Sequence, residues 1–133
     1  MQLEPIQYEK VSQWLLRKLG ITANYRGFHY ISHAMYLISE DQERLLYVSK
    51  LLYPDIAKEY KTDWRAVEHS IRTVINILWK DNSDFLCFMA ECQLSRRPAA
   101  GKFLAILYDF ISNLDIEACL LYTSPSPRDS TSS

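Results

Sequence analysis

The stretch of sequence at 53–72 constrains the fold more than any other, because it has the pattern of a helix-turn-helix. Pro54 can open a short first helix, since its missing N–H costs nothing in the first helical turn. Lys61 and Thr62 then form a tight turn, and Thr62 is predicted to be the N-cap of a second helix. The sequence therefore predicts two helices joined by a short turn, over residues 54–60 and 63–80.

The second of these helices is predicted to bury one side and expose the other. Apolar residues recur at helical spacing on one side, at Val67, Ile71, Val74 and Leu78. The opposite side is polar and free to enter a DNA major groove, with Arg65, Glu68, His69, Arg72 and Asn76. The same two-helix pattern also occurs in all-α domains that bind no DNA, and Lys61 occupies a turn that usually holds glycine.

The rest of the sequence predicts a single all-α domain. A chain of 133 residues with 48% hydrophobic content is long enough and apolar enough to bury one core. We expect an all-α domain of six or seven helices over residues 1–119, with a helix-turn-helix at its centre. The further helices are predicted over residues 5–19, 28–38, 42–52, 84–92 and 98–114. Gly20 should end the first of them, and Asn82 or Ser83 should cap the helix at 84–92.

The C-terminal segment, residues 120–133, differs in composition from the rest. Its last part consists almost wholly of serine, threonine, proline and charged residues, which cannot bury a core. We expect this segment to be disordered. It also resembles translated vector sequence, so we predict that it is not native and that the true C-terminus lies upstream.

Charge is distributed unevenly along the chain, although the net charge is only −1. Residues 44–80 carry seven Lys/Arg against four Asp/Glu, a net of +3. Residues 1–43 have a net charge of −1, and residues 81–121 have a net charge of −3. Phosphate contacts need local positive charge rather than a basic protein, so this pattern is compatible with nucleic-acid binding. It is also what a solvated helix face of mixed charge would show.

No pattern in the sequence indicates catalysis, a metal or a cofactor. His29 and His33 are four residues apart on a predicted helix but lack a nearby third ligand, so partly exposed histidines are favoured over a metal site. Cys87 and Cys92 lack zinc or redox spacing and are predicted to be small buried hydrophobic residues. Only three glycines occur, and they are scattered, so no phosphate-binding loop is predicted. We expect a non-enzymatic protein without a cofactor.

The lengths of apolar runs, the number of cysteines and the spacing of aromatic residues predict where the protein is located and how its aromatic side chains pack. No apolar run approaches the roughly 20 residues that span a bilayer, and no signal peptide is recognisable at the N-terminus. An odd number of cysteines, three, favours reduced thiols over a disulfide framework. These features predict a cytoplasmic protein without membrane contact. Most of the aromatic residues, among them Trp14 and Tyr36, lie on apolar stripes, so packing in the core is favoured over stacking on single-stranded bases.

Several dispersed blocks of sequence resemble one family in the same order. They are Leu-Gly-Ile at 19–21, Arg-Gly-Phe-His-Tyr-Ile-Ser-His-Ala at 26–34, Leu-Tyr-Pro-Asp-Ile-Ala-Lys-Glu-Tyr at 52–60 and Arg-Pro-Ala-Ala-Gly-Lys-Phe at 97–103. Between the last two, Thr62, Val67-Glu68, Ile71-Arg72 and Trp79 also agree. Over about residues 8–114 the chain resembles the DNA-binding effector domain of the sporulation stage-zero response regulator, the master transcription factor of endospore-forming Firmicutes.

The resemblance implies a DNA-binding site on the second helix of the helix-turn-helix. In the family this helix contacts a short A·T-flanked box with a CGA core, and Glu68 and Arg72 match its base-contacting face. Glutamate can accept a hydrogen bond from cytosine, and arginine can donate two to guanine. The expected DNA-binding residues are Thr62, Arg65, Glu68, His69, Arg72 and Thr73.

Three positions depart from the family in a way that should change or relax the sequence recognised. The family has arginine where this chain has Ala66 and His69, and histidine where it has Thr73. Each good bidentate pair is worth ~1–3 kcal/mol of discrimination, so the loss of two arginines is large enough to matter. Arg65, one residue before Ala66, can compensate in part.

The resemblance also implies an architecture and further partners. The family's full protein has a phosphorylated receiver domain, for which this chain has no βαβ pattern, so we expect a stand-alone effector domain or a fragment. In the family, the segment after the recognition helix contacts RNA polymerase sigma factors, and copies bind side by side on repeated DNA boxes. Here that segment is 80–91, which differs from the family's in length and sequence.

Two functions therefore remain open from the sequence. The first is a sequence-specific transcription regulator of the sporulation-initiation type that binds double-stranded DNA. The second is an interaction module that has kept the fold and lost specific DNA binding, and that competes for a sigma factor or regulator. Glu68, Arg72 and the helix-turn-helix favour the first, whereas the net charge and the missing arginines favour the second.

Overall fold

Five α-helices form the domain in a computed structural model that describes residues 3–114. They are α1 (Pro5–Lys18), α2 (Arg26–Glu40), α3 (Tyr53–Glu59), α4 (Trp64–Ala90) and α5 (Ala100–Ser112). No strand occurs among residues 3–114, so the all-α prediction is confirmed, with fewer helices than the six or seven expected. The C-terminal segment at 120–133 lies outside the described residues.

The first two helices are close to their predicted positions. At the start of α1, the Glu4 backbone N–H donates to Oε1 of Gln7 at 2.7 Å, which is half of a capping box. Gly20 follows the end of α1 with a φ of +93°, a backbone conformation that glycine adopts without strain. The chain then turns so that the Ile21 N–H donates to the Leu16 carbonyl at 2.8 Å. Helices α1 and α2 pack against each other as an antiparallel pair joined by this turn.

The helix predicted at 42–52 does not form as one unit. Instead, a 3₁₀ turn (Gln42–Leu45) and a π-helical turn (Val48–Leu52) replace it. Asp41 accepts a hydrogen bond from the Glu43 N–H at 3.1 Å, a local side-chain bond that competes with regular α-helix. Tyr47 separates the two turns with non-helical backbone angles of φ −138° and ψ 63°. The apolar spacing of this stretch was therefore a poor guide to its backbone.

The helix predicted at 84–92 is present as the part of α4 that follows a kink. Asn82 has non-helical angles of φ −138° and ψ 36°, so the boundary predicted at 82–83 is a kink that joins two helical segments. The Asn82 side chain does not cap a new helix, because its Nδ2 donates to the Leu19 carbonyl at the end of α1, at 3.2 Å. Helix α4 ends at Glu91, which has left-handed backbone angles of φ 58° and ψ 31°.

The core lies between α2, α4 and α5, with α1 and α3 packed around it. Its largest fully buried side chains include Phe28, Ile31, Met35, Ile71, Ile75 and Phe103. Gly27 lets α2 approach α4 closely, because a Cβ at this position would lie 2.5 Å from the Ser70 carbonyl oxygen. Within the described residues, no helix is both long and apolar enough to cross a bilayer.

Some predicted core residues are not in the core. Trp14 is 44% exposed, and the Lys18 ammonium lies over its ring at 5.7 Å from the ring centre. Tyr36 is half-buried and stacks on His33. Trp14 therefore lies on the surface of α1 in a cation–π contact with Lys18. Apolar spacing alone cannot distinguish such a surface position from a buried one.

Candidate nucleic-acid interface

The turn between α3 and α4 is held by backbone hydrogen bonds rather than by glycine. Lys61 has a φ of +56°, a left-handed conformation that costs an L-residue about 1–2 kcal/mol. The next residue, Thr62, donates its N–H to the Ala57 carbonyl at 2.9 Å. Asp63, not Thr62 as predicted, is the N-cap of α4, and its Oδ1 accepts from the Ala66 N–H at 2.9 Å. The carboxylate suits this position because it also meets the positive end of the helix dipole.

Helix α4 is buried along the side that the sequence predicted. Its buried residues before the kink are Val67, Ile71, Val74, Ile75 and Leu78. Ala57 of α3 is also buried, and α3 packs against α4 as the helix-turn-helix pattern requires. This packing fixes the rotation of α4, so the identity of its exposed side follows directly.

The predicted DNA-binding residues fall into two groups by exposure. Arg65, His69 and Arg72 are exposed on α4. Glu68 and Thr73 lie on the flanks of the same side and are half-buried, and Thr62 is half-buried in the turn before the helix. The structure thus brings five of the six onto one surface of α4, with Thr62 at its N-terminal edge.

Glu68 and Arg72 pair with each other. Their charged atoms are 3.3 Å apart, one helical turn apart on α4, and the two side chains are 32% and 49% exposed. An exposed pair of this spacing is worth only about 0.3–0.5 kcal/mol, so DNA can separate it at little cost. In the free protein, however, the two side chains predicted to contact bases satisfy each other.

Tyr53 of α3 is buried beside this ion pair. Its side chain is 1% exposed, and its pKa is raised from 10.0 to about 12, chiefly by burial. The Glu68 carboxylate contributes to this rise, whereas the Arg72 guanidinium opposes it. The Tyr53 phenol therefore lies close enough to the ion pair for both of its charges to affect the phenol's pKa.

Two other site residues are oriented by neighbours on α4. The Arg65 guanidinium lies over the indole of Trp64, 5.4 Å from the ring centre, which restricts an otherwise mobile side chain. The Thr73 hydroxyl donates to the His69 carbonyl at 3.0 Å, so this donor is used within the helix. Arg65 is thus presented for contact, whereas Thr73 has only acceptor capacity left.

The exposed side of α4 continues further than the predicted set. Asn76 and Lys80 are both exposed, and they follow Arg72 at spacings of four residues along the same stripe. Arg97, from the loop between α4 and α5, donates through Nη1 to Oδ1 of Asn76. Helical spacing could have identified Lys80, but no local pattern indicates the contact of Arg97, which comes from 21 residues away.

The candidate metal and cysteine positions have ordinary structural surroundings. Nε2 of His29 lies 2.9 Å from the Ala23 carbonyl oxygen, and the His33 ring packs edge-on against Tyr60. No cluster of three potential metal ligands occurs among residues 3–114. Cys87 is half-buried and accepts from the Leu94 N–H, but Cys92 is exposed just beyond the end of α4, so its predicted burial was wrong.

These features define the class of the protein as a helix-turn-helix domain whose second helix has one buried side and one exposed, cation-bearing side. Residues 12–111 match the family described as sporulation initiation factor Spo0A C terminal, and the chain belongs to that family. The match runs from α1 into α5 and so includes the whole helix-turn-helix. The family is one of non-enzymatic DNA-binding domains of transcription regulators, as the sequence led us to expect.

Proposed function

We propose that this chain is a sequence-specific DNA-binding regulator of the sporulation-initiation type, acting in the cytoplasm. The observation that supports this most is the exposed stripe of α4, where Arg65, His69 and Arg72 project from a helix whose opposite side is buried. In helix-turn-helix proteins, the first residues of the second helix contact base edges in the major groove. Arg65 to Arg72 are the first two turns of α4.

In this proposal, the Glu68–Arg72 pair opens when DNA binds. Arg72 donates to guanine and Glu68 accepts from a cytosine amino group, in keeping with the CGA core that the resemblance implies. His69 and Ala66 replace two arginines of the family, so fewer cations face the DNA and specificity is altered. Arg65, held by Trp64, supplies one charge near the missing position.

A binding titration tests the proposal. The full chain is mixed with a fluorescent duplex carrying the A·T-flanked CGA box or with a scrambled duplex, at about 50 and 200 mM salt. We expect tighter binding to the box, and affinity that falls with salt by a log–log slope of roughly −0.9 for each phosphate contacted. Equal affinity for the two duplexes, or no binding at about 50 mM salt, would contradict the proposal.

The alternative is a protein-interaction module of the same fold that has lost specific DNA binding. The closed Glu68–Arg72 pair and the net charge of −1 favour it, since both weaken attraction to phosphate. An aromatic surface suited to contact with another protein also lies at the end of α4, where Phe88 is 65% exposed and packs with Phe85 and Phe110.

Phe85 and Phe88 of this aromatic surface lie within 80–91, the segment through which the resemblance implies a sigma factor contact. We therefore propose a sigma factor as a second partner, whether the chain is a DNA-binding regulator or an interaction module. A chain that binds RNA polymerase holoenzyme but neither duplex would establish the alternative. Phe88→Ser is the variant to compare with the native chain in that measurement, because an exposed side chain can be changed at little cost to the fold.

A further inference from the structure

The loop between α4 and α5 is attached to the exposed side of α4. Arg97 in this loop donates through Nη1 to Oδ1 of Asn76, and both residues are exposed. Arg96, the neighbouring residue, is exposed as well. The loop therefore adds the Arg97 guanidinium to a surface that the helix alone supplies with few cations.

Asn76 places Arg97 in line with the predicted base contacts. Arg65, Arg72 and Asn76 are separated by seven and four residues, which at 100° per residue puts them within about 20° of one line on the helix. At 1.5 Å per residue, Asn76 lies about 6 Å beyond Arg72 and about 16 Å beyond Arg65. The major groove is about 12 Å wide, so a helix whose first turns lie in the groove brings Asn76 towards the phosphates at its edge.

Within the described residues, the positive charge of Arg97 is not neutralised by a carboxylate, whereas that of Arg72 is. Arg72 pairs with the Glu68 carboxylate, whereas Arg97 bonds to the neutral amide oxygen of Asn76. Among residues 3–114, neither Arg97 nor Arg96 forms a salt bridge. A guanidinium has five N–H donors, so the bond to Asn76 leaves donors free for phosphate oxygens.

We propose that Arg97 is a phosphate-binding residue and that Asn76 positions it, so that the α4–α5 loop is a second DNA contact beside the recognition helix. This proposal rests on the proposed DNA-binding function. It assigns Asn76 a positioning role instead of base recognition, because its amide oxygen is occupied by Arg97. It also supplies, from a loop, positive charge that the helix lacks at Ala66 and His69.

Salt titrations of four variants of the full chain test the proposal. Arg97→Gln should weaken binding to the box duplex and the scrambled duplex about equally, by about fivefold near 0.15 M salt, and reduce the log–log slope by about 0.9. Arg97→Lys should restore the slope, since lysine binds phosphate as a point charge. Asn76→Ala should weaken binding to both duplexes and keep the slope, because the cation remains but is no longer positioned.

Lys10→Gln is the matched control, since it removes one exposed positive charge from α1. If Arg97→Gln behaves like Lys10→Gln, or weakens binding to the box alone with its slope unchanged, Arg97 is not a phosphate contact and the proposal is overturned. Those results leave DNA binding itself intact. Absence of binding by the native chain to either duplex would instead overturn the proposed function and this proposal together. Circular dichroism melts confirm that each variant is folded.

Discussion

At the scale of single residues, the predicted base contacts of α4 are held by weak interactions. Arg72 is 49% exposed and pairs with Glu68 at 3.3 Å, and Arg65 lies over Trp64. Contacts of this kind restrict side chains without burying them, so DNA can replace each contact with a stronger one. Stability and DNA recognition should therefore depend on different residues of the same helix.

Replacement of Arg72 tests this separation. Arg72→Ala should change the free energy of unfolding by less than about 0.5 kcal/mol, because the side chain is exposed and its ion pair is weak. It should cost ~1–3 kcal/mol of binding to the box duplex and much less on scrambled DNA. Urea unfolding and anisotropy titration measure the two effects, with Lys10→Ala as an exposed control. A large loss of stability would mean that Arg72 is structural.

Tyr53 gives a prediction about pH. Burial raises its pKa to about 12, above the ordinary value of 10.0, so the folded state binds its proton more tightly than the unfolded state. Its contribution to stability is complete below pH 10 and is lost as pH rises towards 12. One pKa unit corresponds to about 1.4 kcal/mol. When the pH is raised from 8 to 11, the free energy of unfolding should therefore fall by about 1 kcal/mol less in Tyr53→Phe than in the native chain.

Urea unfolding at the two pH values measures this difference. Tyr108, whose pKa burial also raises to about 12, titrates in both proteins and cancels in the comparison. Identical loss in the native chain and Tyr53→Phe would show that the Tyr53 phenol ionises at the same pH whether or not the chain is folded.

At the scale of helices, the position of α4 depends on a close contact with α2. A Cβ on Gly27 would lie 2.5 Å from both the Ser70 carbonyl oxygen and Cγ2 of Val74. Helix α2 or helix α4 would therefore have to move to make room for it. A Cβ on Gly101 would meet nothing nearer than Cγ2 of Val48 at 3.6 Å, which is ordinary contact. Both glycines are the second residue of their helix, so the two sites differ mainly in space.

The two glycines therefore form a matched pair of variants. Gly27→Ala should destabilise the domain by about 1–3 kcal/mol through overpacking, and should weaken DNA binding because α4 must shift. Gly101→Ala should be neutral or stabilising by up to about 1 kcal/mol, because alanine favours helix. Thermal unfolding and anisotropy titration compare them. Equal effects at both sites would mean that α2 and α4 do not depend on this close approach.

The same helices show which structural features a sequence can reveal. Periodic apolar residues predicted the buried side of α4, because a long helix can bury only one stripe. The sequence predicted a helix boundary near Asn82, but not the hydrogen bond of the Asn82 side chain to Leu19, which is distant in sequence. Arg97 was missed for the same reason: its partner, Asn76, lies across a loop. Residue spacing reports local structure, whereas these features depend on tertiary contacts.

At the scale of the whole molecule, charge limits how tightly one copy can bind DNA. The net charge is −1, and only residues 44–80 are clearly basic, with a net of +3. Electrostatic attraction to phosphate supplies most non-specific affinity, so a single copy should bind weakly. The resemblance implies neighbouring copies on repeated boxes, and binding of adjacent copies would compensate for weak individual contacts.

Duplexes with two boxes test this arrangement. Boxes one helical turn apart, about 10–10.5 base pairs, place two copies on the same face of the DNA, where they can touch. We expect higher affinity per copy on this duplex than on a single box. Moving one box by about five base pairs rotates the second copy to the opposite face, and the gain should disappear. If the two spacings give the same affinity per copy, the chain binds each box independently, and its few cations must suffice for recognition as a monomer.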